Sequence, residues 1–329
     1  MSSQEHPFAP FVRILGKGKK GSRSLTADEA HQAMGMILDG QVRPEQLGAF
    51  LMLLRVKEEA PEELCGFVRA VRERLAVPQQ LRADLDWSSY AGKKRRLPWF
   101  LLAALTLAGS GTRVFMHGAR GHMPCRLYTE DMLPIFGLRS CSGWAEVGED
   151  LELNRFAFMS IDRLSPMLGE IIQLRSVLGL RSPVHTLCRL LNPLGADCGI
   201  DGVFHPPYGP MHQKTGVLLG VRNSLTVKGD GGEAELKPDS ESELQWILEG
   251  KTETESWPRL LTQRVVRDEV LDPADLLRLW RGEIGHEYGE GAVINTLAAI
   301  LKLLGRAPAA GEAVEQARRL WEARDRKAY

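Results

Sequence analysis

The chain has 329 residues, its 42 Lys plus Arg balance its 42 Asp plus Glu, and 43% of its residues are hydrophobic. This composition reads as an ordinary soluble protein of one large domain or two unequal ones. It excludes a global electrostatic bias toward nucleic acid or membrane, so any such partner has to be met by local clusters.

Residues 1–23 are polar and basic, with Arg13, Lys17, Lys19, Lys20 and Arg23 set against the single acid Glu5. No basic stretch followed by a long apolar core opens the chain, so no secretory signal is expected. The stretch "GKGKKG" at 16–21 spells the letters of a phosphate loop. That fingerprint needs a strand before it and a helix directly after it, so a flexible basic loop is the expected structure instead. Thr26 and Glu29 then form a capping-box pair, and Ala30, Ala33, Met34, Ile37 and Leu38 make an apolar stripe at helical spacing. Pro44 suits the first turn of a second helix, with Leu47, Phe50, Leu51 and Leu54 on one face. Pro61, Glu62 and Glu63 open a third, carrying Leu64, Phe67, Val68, Val71 and Leu75 inward. Residues 1–83 thus read as a small helical domain with a basic N-terminal segment.

From Asp84 the texture changes. Short apolar pieces such as "TRVFMHG", "FAFMSI" and "NSLTVKG" alternate with stretches of helical character such as "ELQWILEG" and "AVINTLAAILKLLG". The alternation predicts an α/β domain over 84–329 with a largely parallel sheet. Residues 164–185 read as helical and as returning toward the small domain. "GDGGEAELKPDSESE" reads as an exposed polar turn region, and "EQARRLWEARDRKAY" as a charged surface helix. The longest near-apolar run, residues 97–109, is shorter than the roughly 20 residues a membrane span needs and predicts a buried helix. Five cysteines without a C-x-x-C pair predict free thiols in a reducing cytoplasm.

Three stretches bear on chemistry. His205 and His212 in "FHPPYGPMH" lie seven apart with no Cys or third His nearby, which is poor ligand spacing; a turn packed by Tyr208 and its prolines is expected, and no metal site. No nucleophile elbow is present. In "AGKKRR", Gly92 permits a tight turn and Lys93, Lys94, Arg95 and Arg96 stand just ahead of an apolar helix. Cations and free amides near a helix N-terminus favour an anion, whereas an uncompensated cluster there costs stability.

The helical region, "LTADEAHQAMGMILDGQVRPEQLGAFLMLLRVKEEAPEELCGFVRAVRE", strongly resembles the N-terminal domain of anthranilate phosphoribosyltransferases, members of glycosyl transferase family 3. The likeness continues through "HGARG", "LRSVLGLRSPVHTLCRLLNPLG" and "GVFHPPY" to "INTLAAILKLLGRA". It implies a nucleoside phosphorylase/phosphoribosyltransferase-like fold: a small all-helical N-terminal domain plus a larger α/β domain with a central, mostly parallel sheet. It also implies a homodimer through the helical domain. The active-site motifs match less well. Where the family has its G-T-G-G-D loop for phosphoribosyl pyrophosphate, this chain reads "SYAGK", keeping Gly92 and placing Lys93 at the acid. The hydroxyl-bearing N-x-S-T segment aligns near "LPWF", and bulky Tyr90 and Trp99 are expected to crowd the pocket. His117, Gly118 and Arg120 are kept from the K-H-G-N-R-S motif, and Arg175, followed by Arg181, stands where the family holds its aromatic acid. Of the paired acids that help hold magnesium, Glu233 stands at one and Ala234 at the other.

The altered loop and the basic N-terminal segment most resemble the divergent YbiB-type branch, whose members are regarded as nucleic-acid-binding. Two readings stay open. One is a binder of DNA or RNA phosphates without sequence preference, through Lys17, Lys19, Lys20 and Arg23 and through Gly92 and residues 93–96. The other is an active transferase moving phosphoribose from phosphoribosyl pyrophosphate to anthranilate or another aromatic amine, with Mg²⁺ as its cofactor only in that case.

Overall fold

The computed structural model describes residues 5–121 and 125–329; the first four residues of the basic N-terminal segment lie outside the described residues. Four helices come first: α1 (Ala9–Gly16), α2 (Ala27–Leu38), α3 (Pro44–Lys57) and α4 (Pro61–Arg72). The first of them corrects the reading of 1–23 as a polar segment. Phe8, Phe11 and Leu15 are buried, and the Phe8 ring meets Phe50 of α3 edge-on at 5.2 Å. Apolar residues three and four apart make one helix face, masked in sequence by the charges around them. "GKGKKG" therefore follows a helix rather than a strand. The capping box of α2 forms, with the Glu29 amide donating to Thr26 Oγ1 at 3.2 Å and the Thr26 amide to Glu29 Oε2 at 2.9 Å.

The remaining elements build a seven-stranded sheet. They begin with β1 (Leu85–Ser89), α5 (Phe100–Gly109), β2 (Val114–Gly118), α6 (Thr129–Met132), α7 (Trp144–Leu153) and β3 (Phe156–Ser160). Next come α8 (Ile161–Leu164), α9 (Pro166–Gln173), α10 (Arg175–Leu178), α11 (Val184–Arg189), β4 (Cys198–Val203), α12 (Tyr208–Leu218) and β5 (Asn223–Lys228). The chain ends with β6 (Ser242–Leu248), β7 (Lys251–Trp257), α13 (Ala274–Arg281), α14 (Glu287–Leu303) and α15 (Ala310–Glu322). The strand order is β3-β2-β1-β4-β5-β6-β7, parallel from β3 through β5 and antiparallel across β6 and β7.

Alternation along the strands divides the core. Leu85, Trp87, Val114, Met116, Phe156 and Phe158 point to one face, under α5, α14 and α15. Phe115, Ala157 and Met159 point to the other, where they join the core of the N-terminal helices. On that second face α12 packs on α4, and α9 packs on α2.

Two stretches depart from their sequence reading. "ELQWILEG" is strand β6, not helix: Glu249 (φ 50°) and Gly250 (φ 79°) make a two-residue hairpin turn into β7. Two consecutive left-handed residues suit the strand twist, and Glu-Gly is a rarer form of that turn than Asn-Gly. "FHPPYGPMH" is not only a turn, because Pro206 and Pro207 lead directly into α12.

The contact between α2 and α4 depends on Gly66. A Cβ there would run into the Ala27 carbonyl oxygen and come within 2.7 Å of Ala30 Cβ. Gly66→Ala should therefore destabilise the protein by about 1–3 kcal/mol through overpacking, against a background helix-propensity gain. Urea unfolding measures this, and an unchanged or raised midpoint would show that α2 and α4 are free to separate.

Candidate functional site

Connections in the parallel part of the sheet reverse direction between β1 and β4, and ligands in such sheets bind beyond the carboxyl ends of the strands at that point. The loops after β1, β2, β4 and β5 meet there. The stretch 229–243, read from sequence as exposed, instead folds inward over residues 232–236. Glu233 is 0% and Glu235 1% exposed. Gly202 of β4 permits this approach, since a Cβ there would lie 2.5 Å from the Ala234 amide nitrogen.

The two buried carboxylates take up the anion positions of the loop. Glu233 Oε1 accepts the backbone N–H of Ala91 at 2.6 Å and of Gly92 at 2.5 Å. Gly92 is left-handed (φ 66°), and a Cβ on it would meet the Tyr128 ring at 2.7 Å. From the opposite side Arg126 Nη1 donates to the carbonyls of Ala91 at 2.8 Å and Gly92 at 2.9 Å. Glu235 accepts from Lys93 Nζ at 2.5 Å with one oxygen and from the Phe100 amide, the first of α5, at 2.9 Å with the other. A helix N-terminus is a ready anion site, and here the chain supplies its own anion. Burial pushes the Glu235 carboxyl above the usual range, with Lys93 and the Phe100 amide pulling against it.

This geometry corrects the reading of residues 93–96 as one phosphate-gripping cluster. Lys93 is fully buried, between Glu235 and Asp230 at 3.7 Å, and cannot reach an outside ligand. Arg96 is also buried, donating to the carbonyls of Val265 at 2.7 Å and Val266 at 2.9 Å. Only Lys94 and Arg95 face solvent. Tyr90 and Trp99 pack inward rather than crowding a pocket: Trp99 lies against His286 with ring centroids 4.6 Å apart. The Tyr90 hydroxyl hydrogen-bonds His117 Nδ1 at 2.7 Å, and His117 Nε2 lies 3.3 Å from Asp86. Burial pushes the Tyr90 hydroxyl well above its ordinary range, so it stays protonated beside Nδ1. His117 is thus a buried structural link. Gly118 admits the close approach of the Ser89 carbonyl.

The other expected site residues are scattered. Lys17, Lys19 and Lys20 are exposed after α1. Arg23 is engaged by Glu29 through two contacts of 2.7 Å, and its guanidinium holds that carboxyl down at about 2. Arg120 is exposed and pairs with Asp131 at 3.0 Å.

Arg175 belongs to a group that sequence reading only partly found. A cavity of about 120 Å³ between the N-terminal helices and β4 is lined by Arg55, Arg181, His185 and Arg189. Burial, reinforced by Arg189, Arg126 and Arg175, pulls the Arg181 guanidinium down to about 10. Burial, then Arg181 and Arg189, pushes His185 down to about 3, so it is neutral near pH 7. Three arginines against one acid of the lining, Glu59, leave this cavity with an excess of positive charge. Arg126 and Arg189 carried no motif in the sequence that would have marked them.

Magnesium, implied by the resemblance, would meet acids that the chain already uses in part. Glu233 Oε1 is committed to two amides and Glu235 to Lys93, with Ala234 between them, while Glu233 Oε2 and Asp230 Oδ2 are buried without a hydrogen bond among the described residues. No group of three His, Cys, Asp or Glu side chains among the described residues is arranged to hold a metal.

A small helical bundle on a doubly wound sheet, with loops converging at the switch point, defines a phosphoribosyltransferase-type fold. The helical-bundle model of the glycosyl transferase family matches residues 11–75. The anthranilate phosphoribosyltransferase of Nitratidesulfovibrio vulgaris is 31% identical over 228 residues, 69% of this chain and 67% of that protein. YbiB of Escherichia coli is 27% identical over 236 residues, 70% of this chain and 73% of that protein. The crystal structure of the Thermus thermophilus anthranilate phosphoribosyltransferase superposes with a TM-score of 0.81 at 25% identity, over 99% of this chain and 96% of that one. The chain belongs to the anthranilate phosphoribosyltransferase-like family of glycosyl transferases.

Two predictions follow from burial. Lys93→Met leaves Glu235 buried without its cation and should cost about 3–5 kcal/mol in urea unfolding, whereas adding Glu235→Gln should recover much of that loss; strictly additive losses would mean the pair is not coupled. His185 takes its proton in the unfolded chain near pH 6.5 but only near 3 when folded. Its contribution is therefore favourable above the unfolded value and is lost as pH falls through that window. His185→Gln should flatten the decline in stability by about 2–3 kcal/mol at pH 4, and an identical acid limb in the variant would contradict the assignment.

Proposed function

We propose that this protein has kept the family fold but binds nucleic acid phosphates without sequence preference, rather than transferring phosphoribose. The observation that supports this reading is the pair of buried carboxylates in the cradle. A pyrophosphate entering it would have to displace Glu233 from two amides and leave a buried charge unpaired, at a cost of several kcal/mol. Departure of pyrophosphate also needs charge stabilisation at the leaving group, and the cradle offers anions where that charge would develop.

Cations without partners among the described residues lie outside the cradle instead: Lys17, Lys19 and Lys20 after α1, and Lys94 and Arg95 after β1. Side chains of this kind reach phosphates, release counterions and give affinity that falls steeply with salt. Phosphate contacts of this kind carry no sequence information, so backbone contact is the expected mode. A homodimer, as the resemblance implies, would present each cluster twice and add avidity.

The arginine-lined cavity favours a second reading, in which an aromatic acid is bound and a phosphoribosyl donor is used in a different pose.

The two are separated by paired measurements. A labelled oligonucleotide should bind, and lose about a hundredfold in affinity between about 50 and 200 mM salt, as four or so phosphate contacts would give. Changing Lys17, Lys19, Lys20, Lys94 and Arg95 to Ala should weaken binding and flatten that slope. Phosphoribosyl pyrophosphate with anthranilate at saturating magnesium should release no pyrophosphate; turnover would establish the second reading, and a flat salt dependence would remove the first.

A further inference from the structure

Beside the closed cradle lies a second concavity of about 210 Å³. Arg95 from the loop after β1, Lys237 ahead of β6, and Arg264 and Arg267 from the segment after β7 line it. Its floor is Arg96 and Tyr288, the latter in the first turn of α14. The floor is fixed, because the Arg96 guanidinium stacks 3.9 Å above the Tyr288 ring while it holds the carbonyls of Val265 and Val266. The rim is not fixed in this way. Among the described residues no hydrogen bond or ion pair engages the side chains of Arg95, Lys237, Arg264 or Arg267.

Two carboxylates reach the cleft, and each has a commitment of its own. Asp230 lies 3.7 Å from Lys93, and Asp239 accepts the Val265 amide at 3.2 Å. Five cations therefore face two acids; Arg96 also pairs with Asp268 at 3.4 Å, and the four on the rim repel one another. An anion placed among them relieves that repulsion, and a dianion does so more than a monoanion.

We infer that this cleft is a site for a phosphate monoester, with Arg95, Lys237, Arg264 and Arg267 as its ligands. A monoester carries about −1.5 to −2 charges near pH 7, against −1 for a phosphodiester. A concave site also admits a protruding end group, whereas the phosphates inside a strand run along its outside and reach only the rim. The inference rests on the nucleic-acid reading for its occupant, the phosphorylated end of a strand; a free sugar phosphate has the same chemistry.

The test compares a short single-stranded oligonucleotide phosphorylated at both ends with the same sequence bearing hydroxyl ends, at one salt concentration, on the full chain. The phosphorylated form should bind about tenfold or more tightly, since charge-assisted contacts to two or more guanidiniums are at stake. Arg264→Ala/Arg267→Ala, at exposed positions, should fold with an unchanged Tm and lose that advantage, and ribose 5-phosphate should compete it away. Equal binding of the two oligonucleotides, or an advantage that survives in the variant, overturns the site while leaving general nucleic-acid binding intact. If no oligonucleotide binds but ribose 5-phosphate does, dependent on Arg264 and Arg267, the site stands and the nucleic-acid reading falls.

Discussion

The Glu233 carboxylate, held by the amides of Ala91 and Gly92, is the contact on which the rest of this site depends. It ties the loop after β5 to the loop after β1, and Glu235 repeats the arrangement one step along by joining Lys93 to the first amide of α5. Each charge-assisted hydrogen bond of this kind contributes about 1.5–3 kcal/mol. The set also fixes the backbone of residues 91–93 and the start of α5. In the proposed reading the chain keeps a phosphate cradle and occupies it from within. On that reading fold and chemistry separate here: the likeness to the family covers the sheet and the bundle, whereas Glu233, Lys93 and Glu235 serve the structure of the loop.

Burial decides which cations matter. In the run 93–96 the buried Lys93 and Arg96 are paired with acids, and the exposed Lys94 and Arg95 have no such partner among the described residues. Buried charge is tolerated only where a partner is in place, so Lys93 is part of the stability of the loop rather than of its binding. The rim arginines beyond β7 and the arginines around His185 are the opposite case. They converge with little compensation, which is unfavourable in isolation and favourable with an anion bound.

Much of the fold is legible in local pattern. The Thr26–Glu29 capping box, Pro44 and Pro61 at helix starts, and the apolar stripes behind them all signal helices within a few residues. So do the short β pieces at Val114, Phe156 and Asn223. The misreadings have local causes too. Charged neighbours mask the Phe8, Phe11 and Leu15 face of α1, and β6 carries an apolar run that suits helix or strand until its Glu-Gly turn is seen. The site is less legible because its key contacts are not local. Lys93 and Glu235 are 142 residues apart, and nothing in either neighbourhood announces the other. Four adjacent cations look alike in sequence, and only the inward fold of 232–236 separates them. Arg126 and Arg189 acquire meaning only when their loops meet.

The central claim is that the protein's own carboxylates close the phosphate cradle. A crystal structure grown with excess pyrophosphate and magnesium tests it most directly. The account predicts Glu233 still on the Ala91 and Gly92 amides, Glu235 still on Lys93, and no pyrophosphate in the loop. Pyrophosphate seated on those amides, with Glu233 swung away and magnesium bound beside it, would contradict the account.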